Sequence, residues 1–300
     1  MSRRSRFVRT GKPIAMKLVE RDYAILKSVA VLRLARAWHF HELHFEGRTL
    51  KVCQVRLQKL WSNGYLDRLF QPMLLVDGRA QPRCTTPVYQ LTAKGSSALR
   101  SAGYAVKRPS GTPSPYRLTH DLLVLDARVA ITLASARTLG TPPLLWWDET
   151  QARAVLRKYA KGHPRVIPDA AFCLESPEAS PLAYLLEVDT GSEPLTRKGV
   201  GSSIEAKLTG YAALRKTGVL SRALGSKAVR VVFLVTSTTR ADNILSLIAQ
   251  LSVPSGLFLV GTTSGVVPHV PPGPTLRPSK VLLPVLRCAR CPSWHSLAGQ

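Results

Sequence analysis

The stretch RVIPDAAFCLESPEASPLAYLLEVDTG, residues 165–191, decides how the second half of the chain folds. Two apolar runs flank Ser-Pro-Glu-Ala-Ser, a turn-rich loop, so they read as a β-hairpin. Asp169 opens the first run. Glu187 and Asp189 close the second, two residues apart and therefore on one face of a strand. A hairpin of this length brings Asp169 and Glu187 within reach of one another.

Working outward, a helix runs through Leu118, Leu122, Leu125, Val129 and Leu133, which share one side. LLWWDE (144–149) is a short apolar strand ending in two acids. Beyond the hairpin, Ser202 and Glu205 form a capping box before a helix whose apolar stripe is Ile204, Leu208 and Tyr211. AVRVVFLVTS (228–237) reads as a fully buried strand, ADNILSLIAQL as a helix and GLFLVGT as a last strand. The order α-β-β-β-α-β-α-β predicts a three-layer α/β domain around a mixed sheet.

The first third has a different character. The chain of 300 residues carries 42 Lys+Arg against 18 Asp+Glu, a net charge of +24. That excess makes a polyanion, above all nucleic acid, the expected partner. With hydrophobic residues at 45%, the chain is not a disordered basic tail. No apolar run reaches about 18 residues, which excludes a membrane-spanning helix. Residues 1–110 hold 21 Lys/Arg and 6 acids, so most of the excess sits there. Nine acids fall instead between Asp148 and Glu205. Carboxylates repel DNA unless a positive group such as a metal ion stands between them.

Residues 16–35 show helical spacing, AWHFHELHF fits a second short helix, and LKVCQVRLQKLWSN a third, capped by Thr49 and ending at Asn63-Gly64. Leu50, Cys53, Leu57, Leu60 and Trp61 share one face of that third helix. YLDRLF and PVYQL are two short strands, followed by the helix TAKGSSALRSAG. Three helices and a β-wing are the elements of a winged helix-turn-helix, which lays its third helix in the major groove of double-stranded DNA. Arg48, Lys51, Arg56 and Lys59 would supply charge, Gln58 a hydrogen bond to a base edge, and Val55 a contact with a thymine methyl. The basic start, with Arg3, Arg4 and Arg6, would be a phosphate or minor-groove arm.

Several signals are weaker. His39-Phe40-His41 has the form with which rolling-circle nucleases bind metal, but in a helix these side chains point about 200° apart. Cys288-x-x-Cys291 with His295 gives three of the four ligands a structural Zn²⁺ needs. Five cysteines in a long chain do not read as a disulfide framework, so a reducing cytoplasm is expected, where the net positive charge points to the nucleoid. The start MSRRSRFVRTGKP has no apolar h-region and does not read as a secretory signal.

Pro168-Asp169 with Glu187-Val188-Asp189 resembles the PD-(D/E)xK nuclease superfamily, with Asp189 where the lysine is usual. In that superfamily a lysine can migrate to the neighbouring helix, so the resemblance implies Lys207, or Lys198 before it, as the substitute. It also implies Mg²⁺ or Mn²⁺ held by Asp169 and Glu187, with Glu149 or Asp189 as a further ligand.

A broader resemblance spans roughly residues 16–260. The winged helix, a helix opening with His-x-Leu, Trp146–Glu149, Pro168–Ala170, Leu186–Glu193 and Lys207–Tyr211 occur in the order of the replication-relaxation family. That family occurs on plasmids and other mobile elements. The expected organisation is a basic arm (1–15), a winged helix (16–108), a linker (109–115), a restriction-endonuclease-like α/β domain with a mixed sheet (116–262) and a Pro-rich tail with the Cys-x-x-Cys (263–300). The expected partners are double-stranded DNA and other replication proteins, with homodimerisation open. Metal-dependent DNA endonuclease and non-catalytic replication or transcription regulator stand as the two functional readings.

Overall fold

Helix α1 (Glu20–Leu32) ends where Arg33 takes a left-handed φ of 67°. The helical pattern read through residue 35 therefore stops early, and Leu34–Arg36 becomes strand β1. Its three residues pair with β3, a tertiary contact that local spacing does not encode. The computed structural model describes residues 9, 14–70, 87–106, 115–160, 166–175, 181–197, 201–263, 286–289 and 291–297. The chain divides into two compact units, residues 1–125 and 126–300. Among the described residues it is a mixed α/β protein with a three-stranded and a seven-stranded sheet.

In the first unit, α2 (Ala37–His44), α3 (Leu50–Ser62), β2 (Leu66–Phe70), β3 (Pro87–Leu91) and α4 (Ala93–Ser101) follow β1. The sheet order is β1-β3-β2, antiparallel throughout. Ile25, Leu26, Val29, Phe40, Cys53, Leu57 and Leu60 form the core with Tyr89 and Leu99. Thr92 and Gly95 fasten α4 to β2. The Thr92 hydroxyl donates to the Gly64 carbonyl at 2.6 Å and caps α4 by accepting from Gly95 N–H at 3.0 Å. A Cβ on Gly95 would stand 2.3 Å from the Tyr65 carbonyl oxygen, so only glycine fits there.

The long helix α5 (Pro115–Thr138) crosses the boundary between the units. The second unit continues with β4 (Leu145–Asp148), α6 (Glu149–Tyr159), β5 (Ala170–Leu174), β6 (Leu182–Asp189), α7 (Ile204–Lys216) and α8 (Val219–Leu224). It ends with β7 (Ala228–Val235), α9 (Thr238–Gln250), β8 (Phe258–Thr262), β9 (Leu286–Cys288) and β10 (Cys291–His295). The hairpin read from residues 165–191 is β5–β6, with Ala170 opposite Leu186. Strands β6, β7 and β8 run parallel, and the others pair antiparallel. Odd-numbered residues of β6 and β7 (Ala183, Leu185, Val231, Phe233) meet Leu208, Tyr211, Leu220 and Ile244 from α7–α9. On the other face Trp146, Phe172 and Tyr184 stack in sequence, and Arg128 of α5 lies 5.4 Å from the Trp146 ring centre.

Three details differ from the sequence reading. Glu149 does not end a strand but begins α6, because Asp148 caps the helix by accepting from Gln151 N–H at 2.9 Å. Ser203 rather than Ser202 caps α7, accepting from Ala206 N–H. The Cys-x-x-Cys is not on an exposed tail: β9 and β10 extend the large sheet, and Cys288 is buried with its thiol on the Ser255 carbonyl. The arginines Arg3, Arg4 and Arg6, the linker residues 109–114 and Lys198 lie outside the described residues.

Candidate functional site

The second unit's candidate site lies at the carboxyl end of β6, where its last odd-numbered side chains face α7 and α9. Continuing the β5–β6 register by one residue sets Asp169 opposite Glu187. Residues directly opposite in an antiparallel pair have Cβ atoms about 4.5–5.5 Å apart. The Asp169 carboxylate is fixed by the Val188 N–H, which donates to its Oδ2 at 2.8 Å. Glu187 is 1% exposed, and both its oxygens are engaged from α7. Lys207 Nζ donates to Oε2 at 2.8 Å, and the Tyr211 hydroxyl donates to Oε1. Lys207 and Tyr211 are four apart, so one helix face delivers both.

Burial pushes the Glu187 carboxyl up to about 7, and the neighbouring Asp169 charge adds to the push. Lys207 and Tyr211 pull in the opposite direction without cancelling it. Burial alone would lower Lys207, but the carboxylates of Glu187 and Glu193 outweigh it and hold the ammonium above its ordinary range. Tyr211, buried beside the same acids, is raised well above a normal phenol.

Lys207 has two seats, since its Nζ also lies 2.9 Å from Glu193 Oε2. The Ser202 hydroxyl donates to the other Glu193 oxygen, and Arg240 of α9 donates to the Glu193 carbonyl. Arg240 also pairs with Asp189, whose Oδ1 accepts from Gly191 N–H at 2.9 Å. Glu149 pairs with Arg153 along α6.

The structure thus brings together Asp169, Glu187 and Lys207, and gives Asp189 to Arg240. It adds Tyr211, Glu193 and Arg240, which the sequence reading did not assign to the site. Tyr211 was legible as part of an apolar stripe and as the end of the Lys207–Tyr211 motif, and its i, i+4 spacing from Lys207 was the signal for a shared site. Arg240 had none, since α9 reaches β6 only through the crossover that follows β7.

Paired carboxylate oxygens suit a hard divalent ion in kind. As arranged, both Glu187 oxygens already have protein partners, and no three His, Cys, Asp or Glu residues among the described residues group for a metal. A metal ion on Glu187 would compete with Lys207 for Oε2, and Glu193 offers the ammonium its alternative partner. The Cys291 side chain lies outside the described residues, so the Cys288, Cys291 and His295 set is not described as a whole.

In the first unit the side chains expected on the α3 face divide into two sets. Arg56 donates from Nε to Asp22 Oδ1 at 2.6 Å and also bonds Oδ2 and the Lys17 carbonyl. Asp22 is fully buried, so Arg56 neutralises an interior charge. Gln58 accepts from Arg68 at 2.7 Å and donates to the Ser62 hydroxyl. By contrast Arg48, Lys51, Val52, Gln54 and Val55 are exposed, and Lys59 is half-buried. Arg9, at the end of the basic arm, donates to the Leu66 carbonyl at 3.1 Å and lies 5.9 Å from the Trp61 ring centre. The two histidines have separate partners: His39 accepts from Arg36 N–H, and His41 donates to the Arg48 carbonyl. No helix among the described residues is long and apolar enough to cross a membrane.

Comparison with known proteins adds one relation. The model of the family described as Replication-relaxation matches residues 26–228, which takes in both units. No curated protein and no solved structure matches.

Proposed function

Because this chain belongs to the replication-relaxation family, we propose that it is a DNA-binding protein of plasmid or mobile-element replication, and that its second unit processes DNA. The first unit reads as a winged helix, supported by the element order α1-β1-α2-α3-β2-β3 and the sheet order β1-β3-β2. Helix α3 enters the major groove of double-stranded DNA, with Lys51, Lys59 and Arg48 on phosphate. Arg3, Arg4 and Arg6 extend the contact from a root held at Arg9.

The second unit reads as a PD-(D/E)xK-like endonuclease. The observation that supports this reading is that Lys207 comes from α7 onto Glu187, opposite Asp169, and we assign it the role of the missing motif lysine. Asp169 and Glu187 would hold Mg²⁺ or Mn²⁺, whose chemistry there is to polarise a phosphodiester and acidify a bound water. Lys207 leaves Glu187 for Glu193 and presents its ammonium to the phosphate, where charge develops during hydrolysis. Tyr211 keeps the Glu187 carboxylate oriented throughout.

A second reading is a non-catalytic replication or transcription regulator. The pairing of Glu187, Asp189 and Glu149 with Lys207, Arg240 and Arg153 favours it. Supercoiled and linear DNA incubated with Mg²⁺, Mn²⁺ or EDTA separates the two. Metal-dependent nicking that disappears in an Asp169→Ala, Glu187→Ala double variant establishes the enzyme. DNA binding without nicking under every condition establishes the regulator.

A further inference from the structure

We propose that base recognition by the first unit falls to Val52, Gln54 and Val55, and that the duplex it selects presents thymine 5-methyl groups to the two valines. This rests on the reading of that unit as a DNA-binding module and specifies what it binds.

The assignment follows from what α3 leaves exposed. Two side chains of the types that most often read base edges are committed inside the protein. Arg56 is held by buried Asp22, and the Gln58 amide is engaged at both ends, by Arg68 and Ser62. The exposed residues on the helix are Leu50, Lys51, Val52, Gln54 and Val55. Lysine supplies charge to phosphate. Gln54 can make a bidentate hydrogen bond to adenine N6/N7, whereas Lys51, where it reaches a base edge rather than phosphate, pairs with guanine O6/N7.

Val52 and Val55, three residues apart on one ridge, are 46% and 47% exposed. With Val19, itself 50% exposed, they line a groove of about 740 Å³ between α1 and α3. Arg21 and Lys59 outweigh the one acid at this groove, Glu20, and Lys51 is on the same helix, so its surroundings suit a polyanion. In the major groove the apolar feature offered to such a surface is the thymine methyl. Adenine on Gln54 and thymine on the valines are the two halves of A·T pairs, so both signals select the same base composition.

The test uses the full chain and a random duplex pool. Bound duplexes are selected, and the enriched sequence is remade with deoxyuridine for thymidine, which removes the methyl and leaves every hydrogen-bonding edge. Affinity is expected to fall about fourfold for each methyl that a valine covers, the worth of one buried carbon. A Val52→Ser, Val55→Ser variant, altered only at exposed positions, should bind the two duplexes alike. Lys51→Ala with Lys59→Ala should weaken both equally. Equal affinity of the wild-type protein for thymine and uracil duplexes overturns the inference while leaving DNA binding intact. A thymine preference that survives in the double valine variant overturns it too. Failure to bind any duplex overturns both this inference and the reading beneath it.

Discussion

Lys207 Nζ lies 2.8 Å from Oε2 of Glu187, a carboxylate that is 1% exposed and faces Asp169 across the hairpin. The pair sets burial against Coulomb attraction. Burial and the Asp169 charge favour the neutral carboxyl, whereas Lys207 and the Tyr211 hydroxyl favour the ion. Burial and repulsion prevail, so the group titrates near neutrality rather than with ordinary carboxylates.

A pH dependence of stability follows. The Glu187 carboxyl titrates at about 7 in the fold against an ordinary value of 4.5. Its contribution is therefore fully present below the unfolded value and lost as pH rises through the folded one. Thermal melts of the wild-type protein and Glu187→Gln between pH 5 and pH 8.5 should show the wild-type Tm declining relative to the variant up to about pH 7 and levelling off above it. A constant Tm difference over that range contradicts the assignment.

Removing the Tyr211 hydroxyl isolates the other half of the site. In Tyr211→Phe, Glu187 Oε1 loses its buried donor, and leaving such an acceptor unsatisfied costs about 1–3 kcal/mol. The hydroxyl bonds the charged carboxylate, so its loss also moves the Glu187 titration upward. Urea denaturation measures the first effect, and the carboxyl carbon shift of Glu187 in an NMR titration measures the second. A destabilised variant with an unmoved titration would mean that Tyr211 only fills space.

Much of this site was legible because it lies on one hairpin. Period-two spacing set Glu187 and Asp189 on one face, and the hairpin set Asp169 across from them. Lys207 was legible only through resemblance, as the migrated lysine of the nuclease motif, because its distance from Glu187 depends on how α7 crosses back over the sheet. The Arg240–Asp189 pair and the second seat on Glu193 were not legible, since they join elements that meet only through the parallel crossover. In the first unit apolar spacing located the third helix and the buried Cys53, Leu57, Leu60 and Trp61, but not Leu50, which stands exposed in the first turn. Arg56 looked like a DNA contact because nothing local marks Asp22, 34 residues earlier, as buried beneath it. Strand β1 was hidden for a similar reason: its helical spacing yields to pairing with β3.

The cations of α3 should consequently separate into structural and binding groups. Arg56→Ala leaves Asp22 buried without its counter-charge, and breaking such a pair costs about 3–5 kcal/mol. Lys51→Ala and Lys59→Ala should leave urea denaturation nearly unchanged. In a DNA titration they should reduce the slope of log affinity against log salt by about 0.9 for each phosphate that is no longer neutralised. If the lysine variants bind duplex like the wild-type protein, α3 is not the DNA-facing helix.

Gly95→Ala tests the joint between α4 and β2, where helix propensity and packing predict opposite signs. Within a helix, alanine is favoured over glycine by about 1 kcal/mol. At this position the added Cβ would stand 2.3 Å from the Tyr65 carbonyl oxygen and 2.7 Å from Leu91 Cδ1. Leu91 can turn, but the carbonyl cannot easily withdraw, because it accepts from both the Thr92 hydroxyl and the Thr92 N–H. The clash therefore transmits to the backbone that joins α3 to β2, and overpacking of this kind costs about 1–3 kcal/mol. Packing should win, and the urea midpoint of Gly95→Ala should fall below that of the wild-type protein. A raised midpoint would show that α4 can slide off β2 without loss and that the Thr-x-x-Gly spacing is not what seats it.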